Sequence, residues 1–266
     1  MKTNTLYLAL VLIFLLILNS CQSIGKCEEI QKGDTTILID ISDNELFQEI
    51  RSDIKTNFPE FMRMNSFEEI FIKSEECKQL KLSIGALSAK DELSIAHTSV
   101  GTNKRGLSRK ERRKQNSSEP IIQLVKETLD NYSEMSEDDN YNSSTNILNT
   151  ILKAIVSMDV EAQNTLFVFS DMIINNKKEG VNFYKSIAST VKPTLRKLID
   201  SNLLQTYKNQ MEEGLELKIV VVLKEEQRGK IKTKDVKAFW IAAFNTIGLN
   251  DVQFIDNLSN RVILWE

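Results

Sequence analysis

Apolar residues recur along this chain with two periods, and the two alternate. Thr36 to Ile41 is β-branched and apolar almost without a break, as a strand covered on both faces reads. Glu45 to Phe58 instead puts Leu46, Phe47, Ile50 and Ile54 at helical spacing, which predicts a helix that stops at Pro59. Residues 60–79 follow no clear period apart from a helical turn around Phe67 to Phe71. Leu80–Leu87 and Leu93–Val100 each alternate and are joined by the polar segment 88–92, which predicts a β-hairpin. Pro120 opens a helix with Ile121, Ile122, Leu124, Val125 and Leu129 on its apolar face, and an acidic, polar loop is expected over Ser133–Ser144.

The second half repeats the alternation. A helix is predicted from about Asn146 to Met158, a buried strand over Thr165–Phe169, and a helix from about Pro193 to Glu212 after the polar residues 175–180. Leu215–Leu223 is a third buried-type strand, and Lys234–Ile247 a helix closed by Gly248. Val252–Asp256 is a fourth strand, with Arg261–Trp265 a candidate last one. Strands alternating with helices of this length predict an α/β three-layer sandwich with a Rossmann-like, mostly parallel sheet. The hairpin adds one antiparallel strand, and right-handed crossovers put helices on both faces. In such sheets functional residues gather beyond the carboxyl ends of the central strands.

Composition narrows the function classes. With 34 basic and 37 acidic residues the formal charge is −3, which favours solubility and argues against a nucleic-acid partner. The stretch 103–119 carries Lys104, Arg105, Arg109, Lys110, Arg112, Arg113 and Lys114, but no aromatic residue interleaves them. It reads as a solvated loop or as a patch for acidic lipid or a polyanion. The chain has a single histidine, so a histidine-built metal site or a Ser-His-Asp triad is close to excluded, and His97 reads as a strand residue. No glycine-rich phosphate loop or nucleophile elbow is present, and the expectation is a protein that is not an enzyme.

The chain start sets the expected compartment. Lys2, then the apolar run Leu6–Leu18, then Asn19-Ser20-Cys21 describe a secretory signal over residues 1–20. That run covers about 20 Å as a helix, too short for a hydrocarbon core of roughly 30 Å. Leu18-Asn19-Ser20-Cys21 resembles the lipobox of bacterial lipoproteins, with Asn19 the unusual residue. The resemblance implies lipidation at Cys21, a tether over residues 21–34, and a protein of the bacterial cell envelope held to a membrane by its N-terminal lipid. Cys27 and Cys77 then remain, either as a structural disulfide or as two thiols.

Two expected strand ends carry the candidate chemistry. Asp40 closes the first strand, with Ser42 and Asn44 at alternate positions after it; Asp171 closes the Thr165–Phe169 strand; Thr145 lies at a loop-to-helix boundary. Taken singly these residues are helix caps: Ser42 or Asp43 before residues 45–58, and Ser144 or Thr145 before residues 146–158. Taken together they are hard oxygen donors suited to Mg2+, Mn2+ or Ca2+. The fragments "DISDN" (40–44), "SSTNIL" (143–148) and "VFSDM" (168–172), in that order and with the hairpin between the first two, resemble the von Willebrand factor type A domain and its metal-ion-dependent adhesion site. The likeness spans about residues 35–257, within a domain expected over 35–266. It implies Asp40, Ser42 and Asn44 as first-loop ligands, Thr145 as the second-loop ligand and Asp171 as the third-loop aspartate. It also implies a partner protein that offers an acidic residue to the cation. Asn44 and "SST" depart from the family pattern, where serine and Gly-Gly-Thr stand. The alternative is a metal-free scaffold of the same fold in an envelope assembly. An aspartate ending a first strand also opens haloacid-dehalogenase-like enzymes, but those need a second aspartate where this chain has Ser42.

Overall fold

A computed structural model describes residues 31–64, 78–87, 95–101, 119–137, 146–176, 180–184, 191–225 and 231–258. Their strands are β1 (Gln31–Asp40), β2 (Lys78–Leu87), β3 (Ile95–Gly101), β4 (Gln163–Ser170), β5 (Asn175–Asn176), β6 (Val181–Asn182), β7 (Glu216–Leu223) and β8 (Val252–Ile255). The helices are α1 (Asn44–Met64), α2 (Glu119–Ser136), α3 (Ile147–Val156), α4 (Val191–Leu198), α5 (Ser201–Glu212) and α6 (Thr233–Ile247). Six strands form one sheet in the order β3-β2-β1-β4-β7-β8, and β5 and β6 pair separately as a small antiparallel ribbon. Every neighbouring pair in the large sheet is parallel except β2 with β3, which is the expected hairpin, and His97 pairs with Ser83 across it. The architecture is the predicted three-layer α/β sandwich with an antiparallel edge strand.

The near-continuous apolar strands follow from burial on both faces. Successive side chains along a strand point to opposite sides. Accordingly Ile37, Ile39, Phe167, Phe169, Val220 and Val222 pack into one core with α1 and α2. Their alternates Leu38, Leu166, Val168, Ile219, Val221 and Leu223 pack into a second core with α3, α4, α5 and α6. Phe61 of α1 meets Phe167 edge-on at 5.4 Å, and Trp240 of α6 is wholly buried between Phe239 and Phe244. Such aromatic pairs add about 0.5–1.5 kcal/mol beyond the area they bury.

Several expected boundaries move, each for a local reason. The tether was expected to run to residue 34, yet β1 begins at Gln31, and Gly33 and Asp34 already pair with both β2 and β4. Asp34 tolerates burial there because Lys81 Nζ donates to it at 3.0 Å. Pro59 does not end α1, which continues to Met64. Proline forfeits one helical hydrogen bond, but Phe61 and Met62 beyond it are buried in the core. The helix expected over 193–212 is two helices, because Asp200 takes an extended conformation and caps α5 through Asn202 and Leu203 N–H. Ser133–Ser136, expected in a loop, form the last turn of α2. Gly248 does close α6, in the left-handed conformation that glycine reaches without steric cost. Arg261–Trp265, Phe67–Phe71, the basic stretch to residue 118, and Cys21, Cys27 and Cys77 lie outside the described residues.

Candidate functional site

Strand order locates the site. From β1 the chain first moves outward through β2 to β3, then returns to the other side of β1 as β4 and moves outward again through β7 to β8. The direction of winding therefore reverses between β1 and β4, and their carboxyl ends flank the crevice where open α/β sheets hold ligands. Ile39 and Phe169 stand opposite each other at the end of this pair, so Asp40 and Ser170 follow side by side.

Asp40 is 1% exposed and is met from both loops. Its Oδ1 accepts Ser42 N–H at 3.0 Å and the Ser42 hydroxyl at 2.6 Å, and its Oδ2 accepts the Ser170 hydroxyl at 2.6 Å. Among the described residues no lysine or arginine pairs with it. Burial raises the Asp40 carboxyl above the ordinary aspartate range, and the charge of nearby Asp43 adds to this. The hydrogen bonds from Ser170 and Ser42 pull the other way without cancelling it.

The remaining expected ligands occupy different settings. Asn44 starts α1, and its Oδ1 accepts from Gln48 Nε2 at 3.2 Å and from the Ser136 hydroxyl of α2 at 3.1 Å. Asn44 thereby ties α1 to α2. Asp171 Oδ1 accepts Ile173 N–H at 2.9 Å, forming a turn of its own. Thr145 lies outside the described residues. The helix caps also resolve: of Ser42 and Asp43 it is Asp43 whose Oδ1 takes Leu46 N–H, and Asn146 takes Asn149 N–H, while Ser144 and Thr145 lie outside the described residues.

Ser170 belongs to the site and sequence reading missed it. Its hydroxyl donates to Asp40 and accepts Met172 N–H at 2.8 Å, joining the third loop to the first. Met172 sits at φ +58°, an uncommon conformation for a side chain of its size, and Trp240 Nε1 donates to its carbonyl at 2.7 Å. The only available signal was the place of Ser170 at a strand end before an aspartate. Behind the site, Lys224 N–H donates to the Ser170 carbonyl, while Lys224 Nζ reaches Asp53 at 2.6 Å and Glu49 at 3.7 Å on α1.

The donor set suits a hard divalent cation in part. Asp40 offers a buried carboxyl, and the Ser42 oxygen, whose O–H hydrogen-bonds to Asp40, keeps acceptor lone pairs. Asn44 Oδ1 already accepts two donors and adds little. Among the described residues no three histidine, cysteine, aspartate or glutamate side chains gather as a cluster.

Fold and site together define an α/β sandwich domain with an oxygen-rich, acid-centred site at its topological switch point. No protein-family model matches the chain, and no curated protein matches it. Solved structures give weak likenesses. Proximal thread matrix protein 1 from the mussel byssus matches over 86% of this chain and 45% of its own, at 12% identity and TM-score 0.40. The same mussel protein with zinc in its MIDAS motif matches at 9% identity, TM-score 0.35 and the same coverages of 86% and 45%. The pilus adhesin SpaC from Lactobacillus rhamnosus GG, in its open conformation, matches over 88% of this chain and 29% of its own, at 11% identity and TM-score 0.42. This chain thus spans less than half the length of each. At such scores the likeness says nothing about the residues around Asp40.

Proposed function

We propose that this protein is a lipid-anchored binding protein of the bacterial cell envelope. In this reading its type A-like domain captures a partner protein through a divalent cation, Mg2+ or Mn2+ foremost, at the end of β1. Asp40 and Ser42 would hold the cation, with Asp171 and Thr145 from the neighbouring loops. Bound there, the cation would supply a positive centre able to take an acidic residue of the partner. The observation that carries the reading is Asp40, a buried carboxylate at the switch point met by two hydroxyls and one N–H but by no cationic side chain among the described residues. A buried charge without a counter-charge is costly, and a cation would relieve that cost. The reading is of a binding protein and not of an enzyme.

Isothermal titration of the purified protein with Mn2+ and with Mg2+ tests it. Saturable heat with the wild type and none with Asp40→Asn is expected, circular dichroism showing both folded. No heat with either cation would sink the cation. A second reading, a metal-free scaffold of the same fold, is favoured by Asn44, whose oxygen serves α1 and α2 instead. In that case partner capture from the envelope persists in chelator; under the first reading it is lost.

A further inference from the structure

Away from Asp40, the layer of helices on the second core holds a cavity of about 440 Å3, open to solvent, between α4, α5 and the last turn of α6. Its floor is apolar. Leu195 and Ile247 belong to the buried core of that face, and Ile199 and Leu204 are only partly covered against it. Branched side chains left half in water favour a ligand that would cover them.

Two cations line the same cavity from separate elements, Arg196 of α4 and Lys208 of α5. Both are exposed, and among the described residues neither has a hydrogen-bond or ion-pair partner. The acid beside them along the chain, Asp200, is committed to the start of α5, where its Oδ1 accepts two backbone N–H groups. An apolar floor with two unpaired positive groups complements a molecule with an alkyl body and one anionic end. The volume falls within the roughly 300–1,000 Å3 of small-molecule sites, which likewise join apolar walls to a few placed polar groups.

We propose that this cavity binds a dissolved single-chain anionic amphiphile. The chain would lie on Leu195, Ile199, Leu204 and Ile247, and the carboxylate or phosphate head between Arg196 and Lys208. The planar Arg196 guanidinium can engage two head-group oxygens at once, while Lys208 acts as a mobile point charge. The site is distinct from the proposed cation site and does not depend on it.

Titration of the purified protein with dodecanoate, below its micelle concentration and in the presence of chelator, tests the proposal. Saturable one-to-one binding is expected. The Arg196→Gln/Lys208→Gln double variant, altered only at exposed positions, should bind about tenfold or more weakly. Arg196→Glu/Lys208→Glu should lose dodecanoate and take up dodecyltrimethylammonium instead. Equal affinity of the wild type for dodecyltrimethylammonium would overturn the proposal, as would dodecanoate binding unchanged in the double glutamine variant. A response confined to phosphatidylglycerol vesicles would also overturn it, by making the patch a contact for membrane surfaces. Because chelator is present throughout, failure of the cation reading leaves each outcome unchanged.

Discussion

Two buried polar residues show how differently burial acts at single positions. Asp40 is surrounded by donors that favour its ionised form, while burial raises its protonation range. Tyr207 of α5 is buried to the same degree, yet its hydroxyl has no partner among the described residues, and burial pushes its ionisation up to about 12. An unpartnered buried hydroxyl costs on the order of 1–3 kcal/mol. Tyr207→Phe should therefore raise the thermal midpoint at neutral pH, by about 2–4 °C for each kcal/mol regained. The sign with pH is also set. The folded pKa is raised, so above about pH 10 the unfolded chain loses this proton while the folded one keeps it until about 12. Wild-type stability then falls with rising pH across that window, and the variant's advantage should widen there. An unchanged midpoint difference between pH 8 and pH 11 in paired melts would show that the folded pKa is not raised and that water reaches the hydroxyl. Asp40 was legible in the sequence because an apolar run ended on it. Ser170 was not, since its role comes from a strand 130 residues away.

Among the elements, α1 illustrates what periodicity captures and what it misses. Its buried positions Leu46, Phe47, Ile50 and Ile54 were readable from spacing, but its true end lay beyond a proline that packing overrode. Its attachment to the sheet was unreadable: Asp53, on the same helix, pairs with Lys224 just past β7, and Asn57 Nδ2 donates to the other Asp53 oxygen at 2.6 Å. Both charged side chains are nearly closed to solvent, at 6% and 7% exposed. Lys224→Met alone should cost about 3–5 kcal/mol, because it leaves Asp53 buried without a counter-charge. Adding Asp53→Leu should recover most of that loss. Urea midpoints for the two single variants and the double complete the cycle, and additive losses would mean the pair is not coupled. The break between α4 and α5 belongs here too. "IDSN" at 199–202 is a capping signal within an apolar period, and the cap prevailed because Asp200 satisfies two N–H groups that would otherwise lack partners.

At the scale of the whole molecule, the expected lipid anchor rests on Cys21 at the end of the apolar run Leu6–Leu18. Expressed in a bacterial host, the full chain should incorporate labelled palmitate and fractionate with membranes. Cys21→Ser should abolish the label, and a label retained in that variant would refute the anchor. The sequence by itself determined the alternation of strands and helices, the two-sided burial of the sheet and its antiparallel edge. Each of these is local, carried by side-chain period and turn length within a few residues. Only the tertiary structure decided that β4 returns beside β1, that Ser170 reaches Asp40, that Asn44 serves α2, and that Arg196 and Lys208 flank one apolar cavity. Those relations join residues far apart in the chain, and they exist only once burial of both sheet faces has chosen the neighbours of each strand.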